Sequence, residues 1–99
     1  MHVGICRVEV RLPENSSLKD KRRVLKPIIS RLANKFNISV AEIDNHDLWQ
    51  RATIGIACVS NDKRHANEIL SKAVNYIIEG RLEVEVLDYK IEILPVFDM

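Results

Sequence analysis

The apolar residues of this chain change period along its length, and that change limits the folds open to it. From Val3 to Leu12 they alternate. Gly4, Cys6, Val8, Val10 and Leu12 take one face, and Arg7, Glu9 and Arg11 take the other. Period two with a charged outer side describes a strand covered on one face only. Pro13-Glu14-Asn15-Ser16 is turn chemistry that stops it. From Leu18 the period lengthens: Leu18, Leu25, Ile28, Ile29, Leu32 and Phe36 fall in one arc of an amphipathic helix. Ser17 and Asp20 resemble a capping box at its start. Pro27 removes the amide that would bond the Arg23 carbonyl, which predicts a kink or a helix start near Lys26. The stripe stays in phase across Pro27 and favours one kinked helix.

Asn37 ends that helix, and Ile38 to Asp44 reads as a second strand. Asn45-His46-Asp47-Leu48 connects it to a third, Gln50 to Val59. A second helix follows, capped by Ser60, Asn61 or Asp62, with Ala66, Ile69, Leu70, Ala73, Val74 and Ile77 at helical spacing and Gly80 as its C′ residue. The last strand runs from Glu83 to Leu94. Leu87, Tyr89, Ile91 and Ile93 share a face, but Val84 and Val86 are out of phase, which predicts a bulge near Val86-Leu87 or a projecting hairpin-like end. The order β-α-β-β-α-β predicts an α+β, ferredoxin-like fold: a four-stranded antiparallel sheet with two helices on one face.

Composition narrows the class. At 99 residues, 46% hydrophobic and 29% charged, the chain suits one folded domain spanning 1–99 and excludes a disordered chain. No apolar run approaches the roughly 20 residues of a membrane span. The opening Met1-His2-Val3-Gly4 has no charged segment followed by an apolar one, so no signal peptide and a cytoplasmic location are expected. The two cysteines, Cys6 and Cys58, fall on core-facing registers and read as buried thiols filling space. The formal charge is only +1, yet it is unevenly spread. Between Ser16 and Lys35 stand Lys19, Lys21, Arg22, Arg23, Lys26, Arg31 and Lys35 against one acid, Asp20.

Lys19, Lys21, Arg22, Arg23 and Lys26 occupy the first turns of a helix, where the dipole prefers acids. Each cation there forgoes about 0.3–1 kcal/mol. Gathered beside Ser16, Ser17 and the free amides of the helix start, they form a candidate site for nucleic-acid phosphate or a small oxyanion. The alternative is a solvated helix face partnered by acids of the final strand. A second cluster, Asp44 to Arg51, holds His46, two carboxylates and the single tryptophan, Trp49. Its ligand spacing matches no metal site, and an acid–base pairing of His46 with Asp44 or Asp47 ranks below turn hydrogen bonding with Trp49 as an interaction anchor. Outward on the third strand stand Thr53, Gly55 and Ala57, a nearly bare face that another surface could approach closely, as in a homodimer.

Absences are informative too. The outward positions of the central strands, Arg7, Glu9, Thr53 and Gly55, lack the aromatics that stack bases in RNA-recognition domains. The first loop has neither the Cys-x-x-Cys of metal chaperones nor the glycines and arginine of acylphosphatases. Gly occurs only at 4, 55 and 80, so no Walker or dinucleotide loop is present, and no cofactor or metal is expected.

Ser17-Leu18-Lys19-Asp20-Lys21-Arg22, Lys35 to Glu42, Asp47 to Ala52, Ile54-Gly55-Ile56-Ala57 and Val59 to Asp62 together resemble the YlxP-like proteins, small bacterial domains of unknown function. The likeness covers nearly the whole chain. It implies the ferredoxin-like fold, no catalytic residues to carry over, and a gene beside those for translation initiation and ribosome maturation factors. The reading is therefore a non-enzymatic binding protein with RNA or a ribosomal particle as partner. A homodimeric module using Trp49 and the sheet face stands second, and a small anion-processing enzyme using His46 or Arg22 third.

Overall fold

Ser17 starts the first helix as its N-cap, in extended conformation, with its Oγ accepting from the Asp20 amide at 3.1 Å. The computed structural model describes residues 1–80 and 82–97 of the chain. Its elements are β1 (His2–Arg11), α1 (Leu18–Phe36), β2 (Ser39–Asp44), β3 (Arg51–Ser60), α2 (Lys63–Glu79) and β4 (Glu85–Pro95). They build one antiparallel sheet in the order β2-β3-β1-β4, the ferredoxin-like arrangement. Pro27 lies inside α1 on its exposed side, and the helix runs through it although the Arg23 carbonyl loses its amide partner. Asn37 closes α1 in the left-handed region, φ 53°, its amide bonding the Ala33 carbonyl.

The alternation read in β1 places Cys6, Val8 and Val10 under the helices. They pack with Ala52, Ile54 and Ile56 of β3, with Val24, Leu25, Ile28 and Leu32 of α1, and with Leu70, Ala73 and Ile77 of α2. The bulge expected in β4 is present. Glu9 pairs with Asp88 but Val10 pairs with Val86, so Leu87 is the extra residue and Val86 is turned inward. Gly80 differs from expectation. It is the C-cap of α2 at φ −66°, ψ 143°, outside the left-handed region. What it supplies is room, because a Cβ there would lie 2.6 Å from the Tyr76 carbonyl oxygen that accepts its amide. Among the described residues no helix is long and apolar enough to cross a membrane.

Cys6 and Cys58 are free and buried as read. Burial pushes the Cys6 thiol up to about 11 from its ordinary 9.0. Burial also raises Cys58, partly offset by a hydrogen bond from the Gly4 backbone. At pH 8 such a shift leaves Cys6 about 100-fold less thiolate than an unfolded cysteine. Labelling with an aromatic disulfide at pH 8 is therefore expected to be slowed at least that much in the native protein. Both thiols should become reactive together on denaturation, and fast native labelling of Cys6 would contradict its place in the core. The neutral thiol favours folding below about pH 9, and that contribution is lost as the pH climbs towards 11.

Candidate functional site

Four of the five cations predicted at the start of α1 form one stripe. Lys19, Arg22, Arg23 and Lys26 stand at i, i+3, i+4 and i+7, so they share a helix face, and all four are exposed. Over that spacing the helix rises about 10 Å. Among the described residues only Arg23 meets an acid, Glu83 at 3.8 Å, with both side chains more than half exposed. Such a pair holds its partners weakly. Lys19, Arg22 and Lys26 have no carboxylate within 4 Å among the described residues.

Lys21 departs from the predicted set. Its side chain is 3% exposed, and its ammonium donates to the Asn45 carbonyl at 2.7 Å while meeting Glu42 Oε2 at 2.6 Å. The reason is helical phase. Lys21 precedes Val24, Leu25 and Ile28 by three, four and seven residues, which puts it on the core stripe. That spacing is the signal in the sequence that marks Lys21 as a core-side residue, and its charge masks it. Ser16, expected as a free donor at the helix start, is also engaged. The Ser16 amide and hydroxyl donate to Asp20 Oδ2 at 3.1 and 3.0 Å. The Ser16 amide, then its hydroxyl, and more weakly the Arg23 charge and Ser17, hold the Asp20 carboxyl below the usual aspartate range. That cap is present at neutral pH and is lost as pH falls through the lowered value. With Ser16 taken by Asp20, the exposed cationic stripe is the main feature an anion would meet here.

The Asp44–Arg51 cluster divides between two duties. Asn45 takes a left-handed conformation, φ 63°, and its carbonyl oxygen accepts both Lys21 Nζ and the Leu48 amide. Asn15, 4% exposed, donates from Nδ2 to the Trp49 carbonyl at 3.3 Å and accepts Gln50 Nε2 at 3.0 Å. The Leu12 amide bonds the Gln50 carbonyl at 2.9 Å. The loop backbone is thus tied to the β1–α1 turn at several points, while Leu48 and Trp49 stay 45% and 53% exposed. His46 Nε2 lies 3.2 Å from the Glu42 carbonyl oxygen, and Asp44 Oδ1 accepts the Asn45 amide. His46 and Asp44 therefore do not form the acid–base pair that the sequence allowed.

The sheet-face residues also separate. Thr53 points outward as its parity requires, yet it is 2% exposed. Its hydroxyl donates to Glu9 Oε2 at 2.8 Å and accepts Asn45 Nδ2 at 2.9 Å. It is covered by its own chain and leaves the open surface. Gly55 and Ala57 do line an open groove of about 530 Å³, with Ile5, Ala41 and Ile43. A Cβ on Gly55 would lie 2.7 Å from Ile43 Cγ2, so the glycine is what lets Ile43 lean across the sheet. Trp49 does not line this groove. Its anchors place it beside the start of α1 instead.

Comparison with known proteins agrees with the likeness read from the residues. The chain is 40% identical over 75 residues to "Uncharacterized protein YlxP" of Bacillus subtilis (strain 168), covering 76% of this chain and 82% of that one. The family described as "Protein of unknown function (DUF503)" matches residues 3–91, a span holding the stripe, the Trp49 loop and the sheet-face groove, and the chain belongs to that family.

Proposed function

We propose that this protein is a non-enzymatic binding domain that contacts RNA, free or within a ribonucleoprotein, through Lys19, Arg22, Arg23 and Lys26. The observation that carries the reading is the stripe's lack of neutralisation. Three of its four cations have no acid within reach among the described residues, and one of these, Lys19, sits in the first turn, where the helix dipole disfavours it. An uncompensated electrostatic cost at one place on a well-packed fold is consistent with a partner that supplies negative charge. Titration of structured RNA at several salt concentrations tests it. Binding that weakens steeply with salt, and that is lost when the four cations become glutamate, is the expected result.

A second reading, a homodimer through the outer sheet face, rests on a different observation. Arg7 stands directly opposite Lys90, and Glu9 opposite Asp88, so two cations form one row and two anions the next. Like charges facing across strands repel, and the pairs along each strand, Arg7 with Glu9 at 3.9 Å and Lys90 with Glu92 at 3.5 Å, offset this only weakly because they are largely exposed. A second copy turned end for end would set each row against its opposite and cover the groove at Gly55 and Ala57. Four strands at about 4.8 Å spacing, with ten-residue central strands, give a face of about 600 Å². Two such faces bury about 1,200 Å², enough for a specific interface. Sedimentation equilibrium is expected to give a dimer mass, and Ala57→Arg a folded monomer. A wild-type monomer at high protein concentration would remove this reading.

A further inference from the structure

A sheet in the order β2-β3-β1-β4 has two edges, and here they differ. β2 is six residues long and carries a register shift between Glu42 and Asp44, so its edge is short and broken. β4 is 11 residues long and pairs with β1, with no strand on its other side among the described residues. The bulge at Leu87 blunts one end of that edge and Pro95 the other. Between them, Asp88 to Leu94 keeps a regular register with β1. Half-exposed Tyr89 and the partly buried Ile91 and Ile93 line the helix side of this stretch. Lys90 and Glu92 stand on its outer side, 3.5 Å apart.

We infer that the free edge of β4 pairs with the same edge of a second copy of this chain, antiparallel and centred on Ile91, joining two four-stranded sheets into one. The residues of the stretch select this partner. In an antiparallel pair, residues equally far from the twofold axis lie opposite each other on the same face. An axis through Ile91 therefore sets Lys90 opposite Glu92 of the second copy, and does so twice. The two Lys90–Glu92 pairs close into a square of alternating charge. On the helix side Tyr89 meets Ile93 of the second copy, and the two Ile91 side chains meet each other. Neighbouring registers lose this match. Centring on Lys90 sets that lysine against itself and Asp88 against Glu92. Centring on Glu92 brings two glutamates together, and centring on Tyr89 draws the bulged Leu87 into the ladder. A lone lysine on an edge strand ordinarily deters pairing. Here an acid two residues on supplies its counter-charge.

The inference does not rest on the contact with RNA, and it places the second copy on a different surface from the outer sheet face. Sedimentation equilibrium of the full chain tests it for wild type, Lys90→Glu, Glu92→Lys, an equimolar mixture of those two, and Ala57→Arg. The Lys90 and Glu92 side chains are 65% and 50% exposed, so both reversals should keep the fold, which circular dichroism checks. Wild type is expected to dimerise. Each reversal sets like charges opposite each other twice and should weaken the dimer about 10-fold or more. In the mixture every lysine again meets a glutamate, and the dimer should return. Ala57→Arg lies on β3, away from this edge, and should remain a dimer. A monomeric wild type would overturn the inference, as would reversals without effect or a mixture that stays monomeric. A monomeric Ala57→Arg would overturn it too, and would assign the second copy to the outer face.

Discussion

Lys21→Ala is expected to destabilise the protein by about 3 kcal/mol, against a total of about 5–15 kcal/mol for a domain of this kind. Three losses combine. Glu42 keeps a carboxylate that is 22% exposed and loses the only cation within 4 Å among the described residues. The Asn45 carbonyl loses a charge-assisted donor at 2.7 Å. The buried methylene stem leaves a void beside Val24 and Leu25. At about 4 °C or more per kcal/mol, the midpoint of thermal unfolding should fall by about 12 °C or more. Lys21→Met restores the stem and isolates the charge. Adding Glu42→Leu should then recover most of the loss, because an apolar pair can replace a buried ion pair with little penalty. Thermal unfolding of the three variants measures this, and a fall below about 1 kcal/mol for Lys21→Ala would place Lys21 back on the surface.

The second large effect is on binding. Changing Lys19, Arg22, Arg23 and Lys26 together to glutamate is expected to lower RNA affinity by about 10²- to 10³-fold near 0.1 M salt, the loss that follows from removing about four phosphate contacts. Stability should scarcely change, or rise slightly. The four side chains are exposed, their only close acid among the described residues is Glu83, and an acid at position 19, in the first turn, suits the helix dipole. Lys21→Met is the complementary control. It should lower stability and leave the affinity of the folded protein within about twofold, because it removes no stripe cation. The two substitutions thus separate a structural lysine from its neighbours by opposite outcomes. Equilibrium binding and thermal unfolding, measured on both proteins, check the pair.

The elements were legible because each rests on a local pattern. Alternation in β1, helical spacing through Pro27, Asn37 at the end of α1 and the phase slip at Leu87 can all be read from neighbours within a few residues. Lys21 was legible in principle: its spacing from Val24, Leu25 and Ile28 marks the core side, but a lysine among lysines and arginines reads as surface until its counter-charge is known. That counter-charge, Glu42, lies on another element. Thr53 has the outward parity expected of it, and only the arrival of Glu9 and Asn45 buries it. Trp49 depends on still longer range. Its anchor, Asn15, is 34 residues away and is brought there by the pairing of β1 with β3. Periodicity cannot show which loops meet at one end of a sheet, so the tie between the Trp49 loop and the β1–α1 turn became visible only in three dimensions.

The central claim is that four specific cations on α1 engage RNA phosphates. Its most direct measurement is the slope of log affinity against log salt, for wild type and for the variant with Lys19, Arg22, Arg23 and Lys26 changed to glutamine. Glutamine removes the charges without adding repulsion. About four phosphate contacts predict a wild-type slope near −3 to −4, collapsing towards zero in the variant. The same slope in both proteins would contradict the claim and move any RNA contact to another surface.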